Sequence, residues 1–495
     1  MGRDRRCRRQ GDYTIDQIDP SRAKTLGLAL GPLAATAMLL AGAPDAMPPA
    51  AWHAAAVAVL MATWWMMEPV PLAVTALLPL VLFPPLGVGP IENVAPAYAD
   101  PLILLFLGGF ILAAAMQRHG LHRWLALRLL RMSGGTPAAM VASMMVATAF
   151  LSMWVSNTAT AMVMLPIAQS LLEGMRDSQD RRDTSDLGQL PAALALAIAY
   201  AATIGGMGTL VGTPPNALFA SYMQKAHGIT IGFAEWMLVG VPVVLVLLPL
   251  TWVVLTRIAF AMPKDLRIGA MALQDPGPLG RPQKLVGVVL VTTAVTWILR
   301  PLLTGLLPGL ALSDAGIALA AVIALFVVPA HWNRGDPLLS WSDLKAVRWD
   351  VLILFGGGLA LADAIATTGL AHQLGQLVQA LGAWPLPALV LAVMVVVVYL
   401  GELASNTAIA AIFLPVAGAA AVGLGEAPMT VALPVAMAAS LGFMLPVATP
   451  PNAIVYGSGL ITSRQMLRAG AVLDIMTIPI VALLAILIGP LLAPA

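Results

Sequence analysis

Charge is scarce in this chain. Of 495 residues, 26 are Lys or Arg and 24 are Asp or Glu, 10% together, against roughly 25% in soluble domains. A water-facing globular surface is thereby excluded. The charges nearly cancel, to a formal +2, which argues against a nucleic-acid binder. A lone cysteine, Cys7, rules out a disulfide scaffold and a thiolate metal cluster. No Gly-rich stretch ends in Gly-Lys-Ser/Thr, so a phosphate loop and an ATP-driven pump are disfavoured. Alternating strands of about ten residues, the mark of an outer-membrane barrel, are also missing. What the chain has in abundance is apolar: 59% of residues are hydrophobic, and the mean hydropathy is +0.88. The expectation is an all-α polytopic membrane protein.

Apolar stretches long enough to cross a bilayer run 25–43, 51–67, 69–88, 101–117, 191–212, 236–256, 285–307, 313–330, 350–366, 431–448 and 470–493. Blocks 137–172 and 386–423 are too long for one crossing. Cations set the orientation. Arg3, Arg5, Arg6, Arg8 and Arg9 hold the tail 1–24 in the cytoplasm, and the clusters Arg118 to Arg131, Arg176 to Arg182, Arg257 to Lys284, Arg334 to Arg348 and Arg464 with Arg468 fall on that side too. Loops 44–50, 89–100 and 424–430 carry no Lys or Arg, and Lys225 is the exception. This map predicts about 11 transmembrane helices with the N-terminus inside and the C-terminus outside. The run ending Ala41-Gly42-Ala43 is read as a retained span rather than a cleaved signal peptide.

The chain repeats itself. Residues 105–121 align to 354–370, and 150–168 to 399–417, both at an offset of 249; Val211–Ala217 matches Val447–Ala453 at 236. Copy one follows its Gly-Gly helix with four arginines, whereas 367–385 has no Lys or Arg. The two copies therefore face opposite ways, an organisation found in transporters. On this reading 25–100 are leading scaffold helices, 101–260 repeat one, 261–284 a cytoplasmic linker and 285–495 repeat two. Blocks 137–172 and 386–423 become re-entrant hairpins from opposite sides, with Ser156-Asn157-Thr158 and Ser405-Asn406-Thr407 at their tips.

Ser, Asn and Thr cap helix N-termini, and Thr-Pro-Pro places Pro in the first turn, where its missing N–H is no loss. Each motif reads as a break followed by a new half-helix. Four such N-termini at one midplane site, each carrying roughly half a positive charge, call for an anionic ligand. No Lys, Arg or His lies beside these motifs in sequence. Compensating charge is therefore expected from small cations, and hydroxyl, amide and carbonyl oxygens suit Na⁺.

Paired Ser-Asn-Thr motifs, each followed by Thr-Pro-Pro-Asn in an inverted-repeat carrier, resemble the divalent anion:sodium symporter family, which includes sodium/dicarboxylate carriers. The likeness runs from Trp64-Trp65 and Glu68 to the second Thr-Pro-Pro-Asn. It implies a homodimeric elevator-type carrier in the bilayer, not an enzyme, taking di- or tricarboxylates of the succinate, malate and fumarate class with Na⁺ as coupling ion and no organic cofactor. By motif, the first Na⁺ site would be Ser152, Ser156, Asn157 and Gly212, and the second Gly401, Ser405, Asn406 and Ala448. Substrate would meet Ser156, Asn157, Thr158, Thr213, Ser405, Asn406, Thr407, Thr449 and Pro450. The family often has Thr at Gly401, so a hydroxyl ligand is missing there. The expected location is a bacterial cytoplasmic (inner) membrane.

Alternatives stand beside this reading. Loss of a cation site at Gly401 would favour a Na⁺-independent carboxylate exchanger, and citrate or sulfate would suit the same donors. A single Ser-Asn-Thr would be ordinary helix-packing glue. Gly108-Gly109 and Gly356-Gly357-Gly358 read as close helix approaches. Glu402, opposite Met153 in the other copy, is either a proton or cation-coupling group or a hydrogen-bonded structural carboxyl. The six histidines form no metal-ligand pair. An intramembrane serine hydrolase using Ser458 would need a base within reach.

Overall fold

A computed structural model describes residues 20–45, 47–131, 136–177, 187–263, 276–306, 309, 311–332, 335–380 and 385–492. Cys7 and the rest of tail residues 1–19, Arg181, Arg182, Arg334 and half of the linker, 264–275, lie outside the described residues. Regular structure among the described residues is helical, apart from one bridge between Pro329 and Pro337. The principal helices are α1 (Pro20–Ala41), α2 (Pro49–Met67), α3 (Pro101–Arg118), α4 (Leu121–Leu130), α5 (Pro137–Ser152), α6 (Asn157–Asp177), α7 (Leu190–Gly206), α8 (Pro214–His227), α9 (Phe233–Val253), α10 (Arg281–Leu306), α11 (Asp314–Val327), α12 (Trp349–Thr367), α13 (Leu370–Ala380), α14 (Leu386–Gly401), α15 (Asn406–Gly423), α16 (Met429–Ala438), α17 (Pro450–Gly457) and α18 (Ser463–Ile488). Eight helical segments of the described residues are long and apolar enough to cross a membrane.

Proline sets many of the helix starts. It occupies the first or second position of α2, α3, α5, α7, α8, α14 and α17, where no intrahelical hydrogen bond is lost. Within the expected span 69–88 the helix is broken into the short turns Leu72–Thr75 and Leu78–Leu82. Pro69, Pro71, Pro79, Pro84 and Pro85 crowd this stretch and deny it a long uninterrupted helix. The expected spans 191–212 and 431–448 likewise stop short, at Gly206 and Ala438, and resume at Pro214 and Pro450.

Element order repeats with a period of nine helices, so that α3 corresponds to α12, α5 to α14, α7 to α16 and α8 to α17. Packing obeys the same exchange. α7 lies against α17 while α16 lies against α8, and α6 meets α17 while α8 meets α15. α7 and α16 are buried at every position but one each, Pro191 and Thr430, because each is surrounded by elements of both repeats. This interlocked group, α5–α9 with α14–α18, is flanked by α1, α2, α10 and α11 together with α3 and α12.

The glycine pairs permit the flanking contacts. A Cβ on Gly108 would lie 2.5 Å from Ala318 Cβ on α11, and one on Gly357 would lie 2.3 Å from the Ala76 carbonyl oxygen. Both separations are far inside van der Waals contact, so only glycine fits these two crossings.

The charged loops gather at two opposite ends. At one, Arg118 pairs with Asp343 and donates to Ser340 Oγ at 2.9 Å. There Gln283 Nε2 donates to the His119 carbonyl at 3.0 Å, and Trp124 Nε1 to that of Gly277 at 2.9 Å. Three clusters remote in sequence thus share one face. Toward the other end, Lys225 lies 3.7 Å from Asp100 and Arg300 lies 3.0 Å from Asp314 and 3.6 Å from Glu235. Lys225, the exception in the loop-charge map, has an acidic partner.

Candidate functional site

Both hairpin tips are short non-helical links between antiparallel helices. Ser156 closes the first turn of α6 by accepting the Ala159 amide at its Oγ (3.4 Å) and the Thr160 amide at its carbonyl (2.9 Å). Ser405 caps α15, its carbonyl accepting the Ile409 amide at 2.9 Å. Thr213 and Thr449 stand in extended conformation at the starts of α8 and α17, each followed by two prolines. The chain is interrupted before each, over 207–213 and 439–449, and the freed backbone groups need partners at membrane depth.

Two residues the sequence reading passed over supply them. Asn216 Nδ2 donates to the carbonyls of Thr209 (2.7 Å) and Gly206 (3.0 Å). Asn452 Nδ2 donates to those of Leu445 (3.0 Å) and Gly442 (3.2 Å). Each final Asn of Thr-Pro-Pro-Asn is fully buried and stitches its own break. The duplicated motif was the signal for them.

The four interrupted elements converge. Ser156, Asn157, Thr158, Thr213, Ser405, Asn406, Thr407, Thr449 and Pro450, the nine residues expected at substrate, all line one cavity of about 430 Å³. Gly212 and Ala448 line it as well. Ser152 and Gly401 do not; both are buried beneath the hairpin tips. A larger cavity of about 670 Å³ between α4, α5 and α10 is almost wholly apolar in its lining. It lacks the convergent polar groups that orient a charged solute.

One expectation needs correction. Arg348 lines the cavity, as do Glu68, Phe110 and Val351. A basic side chain therefore does contribute to the wall, although none is near the motifs in sequence. It is brought there by the start of α12, and it is bound to Asp350 by Nε (2.9 Å) and Nη2 (2.8 Å). Glu68 is also unusual in its backbone, with φ of +46° the one left-handed non-glycine residue among those described. Such conformations concentrate at functional sites.

The fit to small cations differs between repeats. In the first, Ser152 Oγ lies 2.7 Å from Asn157 Oδ1 and 2.7 Å from the Ala202 carbonyl oxygen. Three oxygens thus crowd together with one hydroxyl proton among them, which leaves lone pairs for a hard cation. Gly206 presses on this group so closely that a Cβ would lie 2.5 Å from Asn157 Oδ1. In the second, Asn406 Oδ1 is buried without a hydrogen-bond partner among the described residues, again an oxygen with free lone pairs. At Gly401, however, a Cβ would meet only the Leu441 carbonyl oxygen, at 3.8 Å. The space is there and the hydroxyl is not.

Ser458, the nucleophile of the hydrolase alternative, is engaged by the backbone. Ser458 Oγ donates to the Val455 carbonyl at 2.6 Å, and among the described residues no histidine contacts it.

Comparison with known proteins agrees with this architecture. Residues 23–494 match the family described as sodium:sulfate symporter transmembrane region. The chain is 39% identical over 488 residues to a sodium-dependent dicarboxylate transporter, SdcS, of Staphylococcus saprophyticus, spanning 97% of this chain and 92% of that protein. It is 38% identical over 479 residues to the like-named protein of Staphylococcus aureus USA300, spanning 95% and 92%. Among solved structures, the Alcanivorax borkumensis YdaH transporter is similar with a TM-score of 0.54 at 17% identity, over 82% of this chain and 88% of that one. That last likeness speaks to the fold alone.

Proposed function

Since the chain belongs to the sodium:sulfate symporter family, we propose that it is a secondary carrier coupling Na⁺ to the uptake of dicarboxylates of the succinate, malate and fumarate class. The observation that carries this is the convergence of both Ser-Asn-Thr tips and both Thr-Pro-Pro starts on one cavity. A dicarboxylate has an anionic group at each end. Two pseudo-symmetric sets of hydroxyls and half-helix N-termini offer one donor cluster to each.

Asn157 and Thr158 would take one carboxylate with Thr213, and Asn406 and Thr407 the other with Thr449. Ser152, Asn157 and the Ala202 carbonyl would hold one Na⁺, and Ser405, Asn406 and the Gly401 and Ala448 carbonyls a second. Bound Na⁺ supplies positive charge beside a substrate that would otherwise be costly to hold away from water. Because Asn157 and Asn406 belong to both sets, cation binding orients the same amides that meet substrate. Coupling follows from that sharing.

Arg348 and Glu68 stand on the cavity wall toward the end where Arg118 and Asp343 meet, the end assigned to the cytoplasm by its cations. The cavity is therefore read as accessible from inside. The interlocked group α5–α9 and α14–α18 would move as the transport unit against a scaffold of the flanking helices, in an elevator motion within a homodimer of the bacterial inner membrane. Sodium-dependent succinate uptake by purified protein in liposomes tests the reading. Uptake indifferent to Na⁺ rejects it.

Gly401 favours a second reading, a carboxylate exchanger of the same fold. Counterflow that needs internal dicarboxylate and ignores Na⁺ would select it. Competition by citrate and sulfate in the same assay defines the anion class.

A further inference from the structure

The second hairpin carries a buried acid that the substrate cavity does not use. Glu402 is 3% exposed, lies directly after α14, and is absent from the cavity lining. Its Oε1 accepts the Met444 amide at 2.9 Å and its Oε2 the Leu445 amide at 2.8 Å. Those amides belong to the interrupted stretch between α16 and α17. The carboxylate thus ties hairpin tip to helix break and is fixed as an acceptor by both.

A second acid faces it. Asp474, on α18, has no exposed surface; one turn before it Gly470 packs so tightly on the break that a Cβ would lie 2.2 Å from the Phe443 carbonyl oxygen and 2.6 Å from Met444 Cα, beside the amides that Glu402 holds, and the two carboxyls interact there. Among the described residues neither Asp474 oxygen has a well-aligned hydrogen-bond donor, although the Phe443 amide and the Glu402 carboxyl stand close to it. Tyr200 faces the pair from α7, but its hydroxyl donates to the Phe443 carbonyl at 2.7 Å. Among the described residues neither acid forms an ion pair. Two like charges about 4 Å apart repel by about 4 kcal/mol at an effective dielectric of 20, and a buried anion without a partner is costlier still. Such a repulsion is relieved either by a proton shared between the two carboxyls or by a cation seated with them.

The first repeat has no such arrangement. Met153 stands where Glu402 does, and its side chain fills the equivalent space against Gly208, whose Cβ would lie 3.1 Å from Met153 Cε. The acid pair is therefore particular to the half whose other cation set lacks the hydroxyl of Ser152.

We propose that Asp474 and Glu402 form a seat for a hard monovalent cation of the sodium class, behind the second hairpin tip and outside the substrate cavity. Its ligands are the Asp474 oxygens and the remaining lone pairs of Glu402, hard oxygen donors of the kind alkali cations take. A cation there bridges three elements, the tip after α14, the break before α17, and α18. Occupancy would hold the tip against the break and so prepare Asn406 and Thr407 for substrate.

This inference rests on the Na⁺-coupled reading, and binding measurements separate the two. Purified protein in detergent is titrated with ²²Na⁺ to count ions bound per protomer, alongside Na⁺-dependent thermal stabilisation. Asp474→Asn is expected to bind one ion fewer than the unsubstituted protein and to lose part of the stabilisation. Asp474→Glu, which restores a carboxylate, is expected to recover the full count. Should Asp474→Asn fail to fold, Asp474→Ser serves, with the same loss expected. An unchanged count and affinity in folded Asp474→Asn or Asp474→Ser overturns the seat, including the case in which the pair simply shares a proton. Absence of any ²²Na⁺ binding to the unsubstituted protein overturns the coupled reading itself.

Discussion

Lys225 Nζ lies 3.7 Å from Asp100 Oδ2 where the end of α8 meets the start of α3. Asp100 is 7% exposed and also caps α3 by accepting the Leu102 amide at 2.9 Å. One carboxylate therefore organises a flanking helix and anchors the interlocked group. Removing Lys225 strands that charge. Because the lysine keeps some solvent contact, we expect Lys225→Met to cost about 1–2 kcal/mol, less than the 3–5 of a fully buried pair. Thermal unfolding of Lys225→Met, Asp100→Asn and the double variant forms a cycle, and additive losses would show the pair to be uncoupled.

Gly401 invites a gain of function. A Cβ there has ordinary space, so Gly401→Ser should be tolerated and should place a hydroxyl where Ser152 stands in the other repeat. A hydroxyl ligand worth about 0.5–1.5 kcal/mol would lower the Na⁺ concentration for half-maximal uptake by roughly two- to tenfold. An unaltered Na⁺ dependence would remove Gly401 from the cation set.

Thr158 and Thr407 line the cavity from opposite repeats. If each donates to a carboxylate, Thr158→Ala and Thr407→Ala lose about 1.5–3 kcal/mol, raising KM for succinate tenfold or more while ²²Na⁺ binding stays intact. A substituted protein that loses Na⁺ binding along with substrate would place the hydroxyl in the cation set instead.

The two glycine crossings differ in what they touch. Gly357 faces the backbone of Ala76, which cannot yield, whereas Gly108 faces chiefly the Cβ of Ala318. Gly357→Ala should therefore destabilise more than Gly108→Ala, by about 1–3 kcal/mol for overpacking in each case. Melting temperatures in detergent decide the order. Equal melting temperatures to the unsubstituted protein would show that the helices separate freely.

How legible was this molecule before folding? The cavity wall was largely readable because its donors sit in duplicated local motifs, Ser156-Asn157-Thr158 and Thr213-Pro214-Pro215-Asn216 with their copies, and caps and prolines act within a few residues of themselves. Arg348 was not readable. It joins the wall only because α12 starts beside it, and no local pattern marks a residue brought in by another helix. Asp474 was half readable, as an acid inside the apolar stretch 470–493, but its meeting with Glu402 spans more than seventy positions. The breaks within stretch 69–88 were not readable from its mean hydropathy, which hides its prolines.

The amino-acid order by itself determined that the chain lives in a bilayer, that it is built twice in opposite senses, and where its helices break, since hydropathy, cation placement and proline are local quantities. Tertiary structure alone decided that α7 and α16 exchange partners between repeats, that Arg348 joins the cavity wall and that two distant acids meet. Those are matters of packing, in which a side chain's neighbours are chosen by the surfaces that fit and not by the residues beside it in the chain.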